Sequence, residues 1–158
     1  MSTSFSKAFL AVVAVAVLAA VQSEASVLCT KTSFPKLCER VIGGTTSPAA
    51  ALTKAIQASL KQVLNAQAEA KNSKADKSCV DQCNEMYQSA VDSLNQSLEY
   101  IKTNDIGGLR SELSAVITYV ETCNDAFAEM QIKNPFFNTN EKLKEYGDNN
   151  LALAAEIN

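Results

Sequence analysis

Histidine and tryptophan are both absent from the 158-residue chain, and the absence of histidine removes whole classes of chemistry. Without histidine there is no Ser-His or Cys-His nucleophile pair, no His-rich zinc site and no side chain that ordinarily shuttles protons near neutrality. Basic clusters are missing too. Lys and Arg number 14 against 17 Asp and Glu, a formal net charge of −3, which argues against nucleic acid and anionic membrane surfaces as partners. There is no Gly-rich phosphate loop and no metal-ligand constellation. The carboxylates of Glu112, Glu121 and Glu129 therefore have nothing to organise them for catalysis. No catalytic residue, metal ligand or cofactor is assigned, and the chain is not expected to be an enzyme.

Long apolar runs are limited to one. Fourteen residues from Ala8 to Val21 follow a single Lys and precede the small residues Ser23 and Ala25. That order is the pattern of a secretory signal peptide cut after Ala25, and the run is short of the roughly 20 residues of a comfortable membrane span. Residues 1–25 are read as the leader and 26–158 as one soluble, extracellular domain. Removing the leader takes away Lys7 and Glu24, so the net charge stays at −3.

The mature part reads as helices. Ser47 and Pro48 look like an N-cap and first helical residue, opening a helix to about Asn72 through Leu52, Ile56, Leu60 and Val63. A second stripe runs through Val80, Cys83, Tyr87, Val91, Leu94, Leu98 and Ile101, and a third through Leu109, Leu113, Val116, Val120, Cys123, Phe127 and Met130. Both advance in steps of three and four, the signature of a one-sided amphipathic helix. Asn138 and Glu141 suggest a capping box for a last helix through Leu143, Tyr146, Leu151 and Ala154. Four such helices joined by short loops bury their stripes against one another. The expectation is an all-α up-down-up-down four-helix bundle over about 47–158, preceded by a short N-terminal helical hairpin over about 26–46.

Five cysteines, at 29, 38, 79, 83 and 123, stand in a chain expected to meet an oxidising compartment. Cys83 and Cys123 fall on the seams of consecutive antiparallel helices, where facing positions come within disulfide reach. Cys79 is one turn earlier, outside the stripe, and is assigned as the spare thiol, either free or available to link two copies of an otherwise monomeric protein. Cys29 and Cys38 then close a local loop. Neither pair has the two-residue spacing of a thiol oxidoreductase, so the bridges are read as structural staples. Asn95, Gln96 and Ser97 form a glycosylation sequon inside a predicted helix.

The segments CTKTSFPKLC, CNEMYQSAVDSL, LSAVITYVETCNDAF and NEKLKEYGDNNLALAAEI resemble successive motifs of the plant invertase and pectin methylesterase inhibitors. The resemblance spans nearly the whole mature chain and implies a four-helix bundle after a helical hairpin, with bridges Cys29–Cys38 and Cys83–Cys123. Two departures stand out: the stretch from Cys38 to Cys83 is shorter than is usual for the family, trimming the hairpin or the first bundle helix, and Cys79 is extra. In the pectin methylesterase branch the resemblance implies docking over the enzyme's pectin-binding cleft through acidic and polar residues of the two central helices. Carried over, these are Glu85, Asp92, Thr122 and Asp125, with Ser89 where an Asp is expected. Their spacing is compatible with one shared face.

The resemblance therefore implies a secreted inhibitor of pectin methylesterase, located in the apoplast or cell wall. An inhibitor of acid invertase is the alternative. Members of that branch insert a Pro-Lys-Phe loop into the sugar pocket, and here Ile106, Gly107 and Gly108 stand in its place. A third reading is a non-inhibitory helical-bundle binding protein. A carrier needs spare apolar volume, however, and the seams with Ala115, Ala126 and Ala154 beside them suggest a filled core.

Overall fold

Where the apolar stripes predict helices, the computed structural model has them. It describes residues 27–157, so the leader read over residues 1–25 lies outside the described residues. After a helical segment at 27–30 come α1 (Pro35–Ile42), α2 (Pro48–Lys71), α3 (Lys77–Thr103), α4 (Ile106–Glu129) and α5 (Phe137–Ala154), with no strand among the described residues. Helices α2 to α5 form the bundle. The most extensive packing is between α3 and α4, with α2 against α3 and α5 closing against both α4 and α2. Helix α2 has 24 residues, as many as α4, so the short stretch between Cys38 and Cys83 has not reduced the first bundle helix to a stub.

The helix ends follow local chemistry. Ser47 accepts from the Ala50 N–H ahead of Pro48, and Asp76 accepts from the Cys79 N–H, each satisfying an amide that has no partner within its helix. Only Asn104 and Asp105 separate α3 from α4. Asn104 has φ 56°, the left-handed conformation that asparagine tolerates, while Asp105 accepts from the Gly108 N–H at 2.9 Å. A Cβ at Gly108 would lie 2.9 Å from the Tyr100 ring, so glycine allows α4 to start directly against the end of α3.

That turn sets the register in which Cys83 meets Cys123, with their Cα atoms 4.6 Å apart. The bridge lies in a core that runs the length of the bundle and includes Leu52, Ile56, Val63, Tyr87, Leu94, Leu109, Leu113, Val120 and Phe127, all essentially excluded from solvent. Phe136 meets Phe127 edge to face, ring centres 5.8 Å apart. A second bridge, Cys29–Cys38, with Cα atoms 5.5 Å apart, holds the segment at 27–30 against α1. The hairpin is fastened to α5 by the Asn149 amide, which accepts from the Phe34 N–H at 3.0 Å and donates to the Phe34 carbonyl at 2.9 Å.

Several positions differ from the sequence pattern. Cys79, expected outside the stripe, is buried, and its thiol donates to the Ala126 carbonyl at 3.3 Å. Met130 is exposed because α4 stops at Glu129 and the chain turns at Gln131, φ 55°. Helix α5 begins before the expected capping box, with Phe136 at its N-cap and no side-chain cap. Burial of Phe136 against Phe127 draws the chain inward two residues earlier than the polar pattern implies. The buried residues of α5 are Asn140, Leu143, Gly147, Asn149, Asn150, Leu153 and Ala154, while Tyr146 and Leu151 are only half-buried. A Cβ at Gly147 would lie 2.6 Å from Ile117, so the glycine lets α5 approach α4, and Asn150 donates to the Ser59 hydroxyl at 2.8 Å.

One polar network runs through this core. The Tyr87 hydroxyl donates to Asn140 Oδ1 at 2.6 Å, and Asn140 Nδ2 donates to Asn124 Oδ1 at 2.7 Å. Asn134 donates to the same Asn124 oxygen at 2.7 Å and accepts from the Phe136 N–H at 2.8 Å. Burial, reinforced by the Glu69 carboxylate, pushes the Tyr87 hydroxyl well above its ordinary pKa, so it remains a neutral donor. Replacing Tyr87 by Phe leaves the buried Asn140 oxygen without that donor, which costs about 1–3 kcal/mol. Urea unfolding with both bridges intact should show a lower midpoint at unchanged slope, and an unchanged midpoint would mean the bond contributes nothing.

Candidate docking face

Every charged side chain in residues 78–101 of α3 and in residues 111–132, from the second turn of α4 into the turn that follows it, is a carboxylate. The two helices lie side by side and antiparallel, so their outer surface has one electrostatic sign over its length. The bases are elsewhere, at the helix ends, on α2, on α5 and in the hairpin.

Two contacts orient α3 about its axis: Cys83 faces α4, and Gln88 accepts from Gln67 of α2 at 3.3 Å. At about 100° per residue, Glu85 then stands on the outer crest of α3 and Ser89 on its α4 side. On α4, Thr122 and Asp125 flank the groove toward α3, because Cys123 and Ala126 beside them point at Cys83 and Cys79. The register places Thr122 within about one helical turn of Glu85. Glu85, Ser89, Thr122 and Asp125 thus share one surface. Asp92 begins on the same crest, seven residues beyond Glu85, but its carboxylate accepts from Gln88 at 3.1 Å. It lines a cleft of about 570 Å³ between α2 and α3, so it sits at the border of the shared surface rather than at its centre.

The hydroxyls turn inward on their own helices. Ser89 donates to the Glu85 carbonyl at 3.1 Å and Thr122 to the Thr118 carbonyl at 2.9 Å. What the surface offers a partner is therefore carboxylate oxygen. Glu85 and Asp125 are exposed, and among the described residues neither forms a salt bridge. Other acids of the pair are engaged: Asp81 with Lys77, Glu99 with Lys102, and Glu121 with Lys144 at 3.2 Å. The unbroken run of acidic sign along both helices was legible in the sequence and adds Glu129, exposed one turn beyond Asp125, to the expected set.

At the seam of α4 and α5, Lys144 lies between Glu121 and Glu141. Asp148, one turn further along α5, has its pKa pushed up by burial; Lys144 opposes that shift and Glu121 adds to it. Burial also raises the Cys79 thiol, with the Asp76 carboxylate acting in the same direction. A buried, protonated thiol neither reacts readily nor reaches a second molecule, which removes Cys79 as a natural link between copies. Among the described residues, no group of three or more His, Cys, Asp or Glu is placed to hold a metal ion, and no helix is long and apolar enough to cross a membrane.

A family model described as plant invertase/pectin methylesterase inhibitor matches residues 23–153. The chain is 28% identical over 147 residues to the Probable pectinesterase/pectinesterase inhibitor 13 of Arabidopsis thaliana, a match covering 80% of this chain and 24% of that protein. It is 30% identical over 113 residues to the Pectinesterase inhibitor of Actinidia deliciosa, covering 65% of this chain and 61% of that one. The chain thus spans about a quarter of the first relative and less than two thirds of the second. Among solved structures, a mutant form of a pectin methylesterase inhibitor from Arabidopsis superposes with a TM-score of 0.72 at 18% identity, over 85% of this chain and 97% of that one. A second crystal structure, of a pectin methylesterase inhibitor from Arabidopsis thaliana, gives 0.65, also at 18% identity, over 86% and 97%. The likeness to both is one of fold.

Two outcomes follow from the buried groups. A thiol reagent should leave the native protein unlabelled and should modify one cysteine after denaturation without reductant; rapid labelling of the folded protein would contradict the burial of Cys79. Because the folded state raises the Asp148 pKa, it binds that proton more tightly than the unfolded chain, and lowering the pH through its titration favours folding. Asp148→Asn should therefore be more stable than the parent at pH 7, with the gap narrowing toward pH 4 when denaturant midpoints are compared.

Proposed function

Because the chain belongs to the plant invertase/pectin methylesterase inhibitor family, we propose that it is a secreted protein inhibitor that docks on pectin methylesterase and covers the cleft that receives pectin. The observation that carries this reading is the single-signed outer surface of α3 and α4, with Glu85 and Asp125 free of cationic partners. The product of demethylation is a chain of sugar carboxylates. An enzyme that holds such a chain needs groups that accept negative charge, and a rigid helical surface studded with carboxylates presents the same charge to the same groups. Complementarity of this kind raises the rate of encounter and fixes orientation. Rigidity helps as well, since the bridged helix pair has little conformational freedom left to lose on binding.

Acid invertase is the alternative target. Ile106, Gly107 and Gly108 form the first turn of α4, with Gly108 packed against Tyr100, so no cation or aromatic side chain projects from this turn. That favours the esterase over the invertase.

The purified protein should slow demethylation of pectin by plant pectin methylesterases and leave sucrose hydrolysis by acid invertase unchanged. Replacing both Glu85 and Asp125 by Ala should weaken inhibition about tenfold, corresponding to about 1.4 kcal/mol, and should flatten its dependence on salt. Undiminished demethylation by several such enzymes at micromolar protein would sink the reading.

A further inference from the structure

The sequence contains one Asn-X-Ser/Thr triplet, Asn95-Gln96-Ser97, and the structure places it in the middle of α3. Asn95 is exposed, and among the described residues its amide makes no hydrogen bond. It lines the cleft between α2 and α3 together with Thr53, Gln57, Asp92, Glu99 and Lys102. Ser97, two residues on, is fully buried and donates its hydroxyl to the Ser93 carbonyl at 2.8 Å. Residues two apart on a helix point to nearly opposite sides. The transferase that modifies a sequon needs the asparagine amide and the hydroxyl two residues later on one extended strand, and the folded helix holds them apart.

From this placement we propose that Asn95 carries an N-linked oligosaccharide, added before α3 forms and fixed by folding on the α2 side of the bundle, away from the docking flank on α4. In the transfer, the Asn95 amide nitrogen attacks the anomeric carbon of a lipid-pyrophosphate-linked oligosaccharide. A C–N bond forms, the anomeric C–O bond breaks, the lipid pyrophosphate leaves with the electron pair, and the amide proton passes to a base on the transferase. Once α3 is helical, the attached sugar stands over the cleft where Leu98 and Ile101 lie half-buried beside Asp92. Glu85 is ten residues away, about 15 Å along the axis, and Thr122 and Asp125 are on the neighbouring helix. The glycan therefore screens Asp92 while leaving Glu85, Thr122 and Asp125 open to a partner.

The inference rests on the secretory route within the proposed function but not on the target enzyme. Translation of the full 158-residue chain with endoplasmic reticulum microsomes tests it. The protease-protected product should carry a mass increment that a peptide N-glycosidase removes, leaving Asp at position 95, and both Asn95→Gln and Ser97→Ala should abolish it. A protected chain without the increment overturns the proposal, and so does a chain that never becomes protected. The timing has its own arm: folded, disulfide-bonded protein offered to solubilised transferase and lipid-linked donor should stay unmodified, whereas the reduced, unfolded chain should accept the sugar. Equal modification of both would refute the order of events. Glycosylated protein and Asn95→Gln should inhibit the esterase within about twofold of each other, as for surface changes that touch no partner. A larger difference would put the glycan on the docking face. If neither form inhibits while the glycan is present, the target assignment fails and this inference stands.

Discussion

The covalent tie between Cys83 and Cys123 constrains both central helices at once. It fixes their separation and, because each sulfur leaves its helix in one direction, the angle at which each helix presents its remaining side chains. The two-residue turn at Asn104 and Asp105 supplies the other boundary condition. A hairpin held at its turn and again toward its open end has no slack to slide by a residue, and a slide would rotate Thr122 and Asp125 out of line with Glu85. The proposed docking surface is in this sense a by-product of the core. Its polar residues are aligned because the apolar and sulfur-bearing residues between them have only one way to pack.

The buried asparagines extend this constraint to the rest of the bundle. Asn140 on α5 receives the Tyr87 hydroxyl from α3 and donates to Asn124 on α4, beside the bridge sulfur of Cys123 at 3.3 Å. Apolar packing alone would tolerate small rotations of α5. Hydrogen bonds with fixed partners do not, because a displaced amide would be left buried and unpaired. Asn134 carries the same network into the loop after α4, so the turn that launches α5 is specified from inside.

Much of this was legible in the sequence, and the parts that were not share a cause. Stripes in steps of three and four locate α2, α3 and α4, because burial selects apolar side chains at helical spacing. The same rule places Cys83 opposite Cys123. The stripe of α5 was misjudged because four of its buried positions, Asn140, Gly147, Asn149 and Asn150, are not apolar. One position is buried because it completes a network, one because two helices need to touch there, one because it clamps the hairpin at Phe34, and one because it meets Ser59. None of these reasons is local to α5. Cys79 was placed outside the core for a related reason, since its partner is the backbone carbonyl of Ala126 on another helix. For the candidate surface, residue types and spacing indicated a shared face, and the Gln88–Asp92 pair is four residues apart within α3, but the contact of Gln88 with Gln67 lies on α2 and could not be read along α3 alone.

The amide clamp between Asn149 and Phe34 joins residues 115 positions apart. A chain is synthesised from its N-terminus, so the hairpin leaves the ribosome long before the side chain that will hold it exists. The hairpin is therefore clamped late, and until α5 arrives it is held by its own bridge and by its packing on α2, where Lys54 donates to the Ile42 carbonyl at 3.2 Å. Growth of the chain, rather than the strength of any contact, dictates when Phe34 and Asn149 can meet.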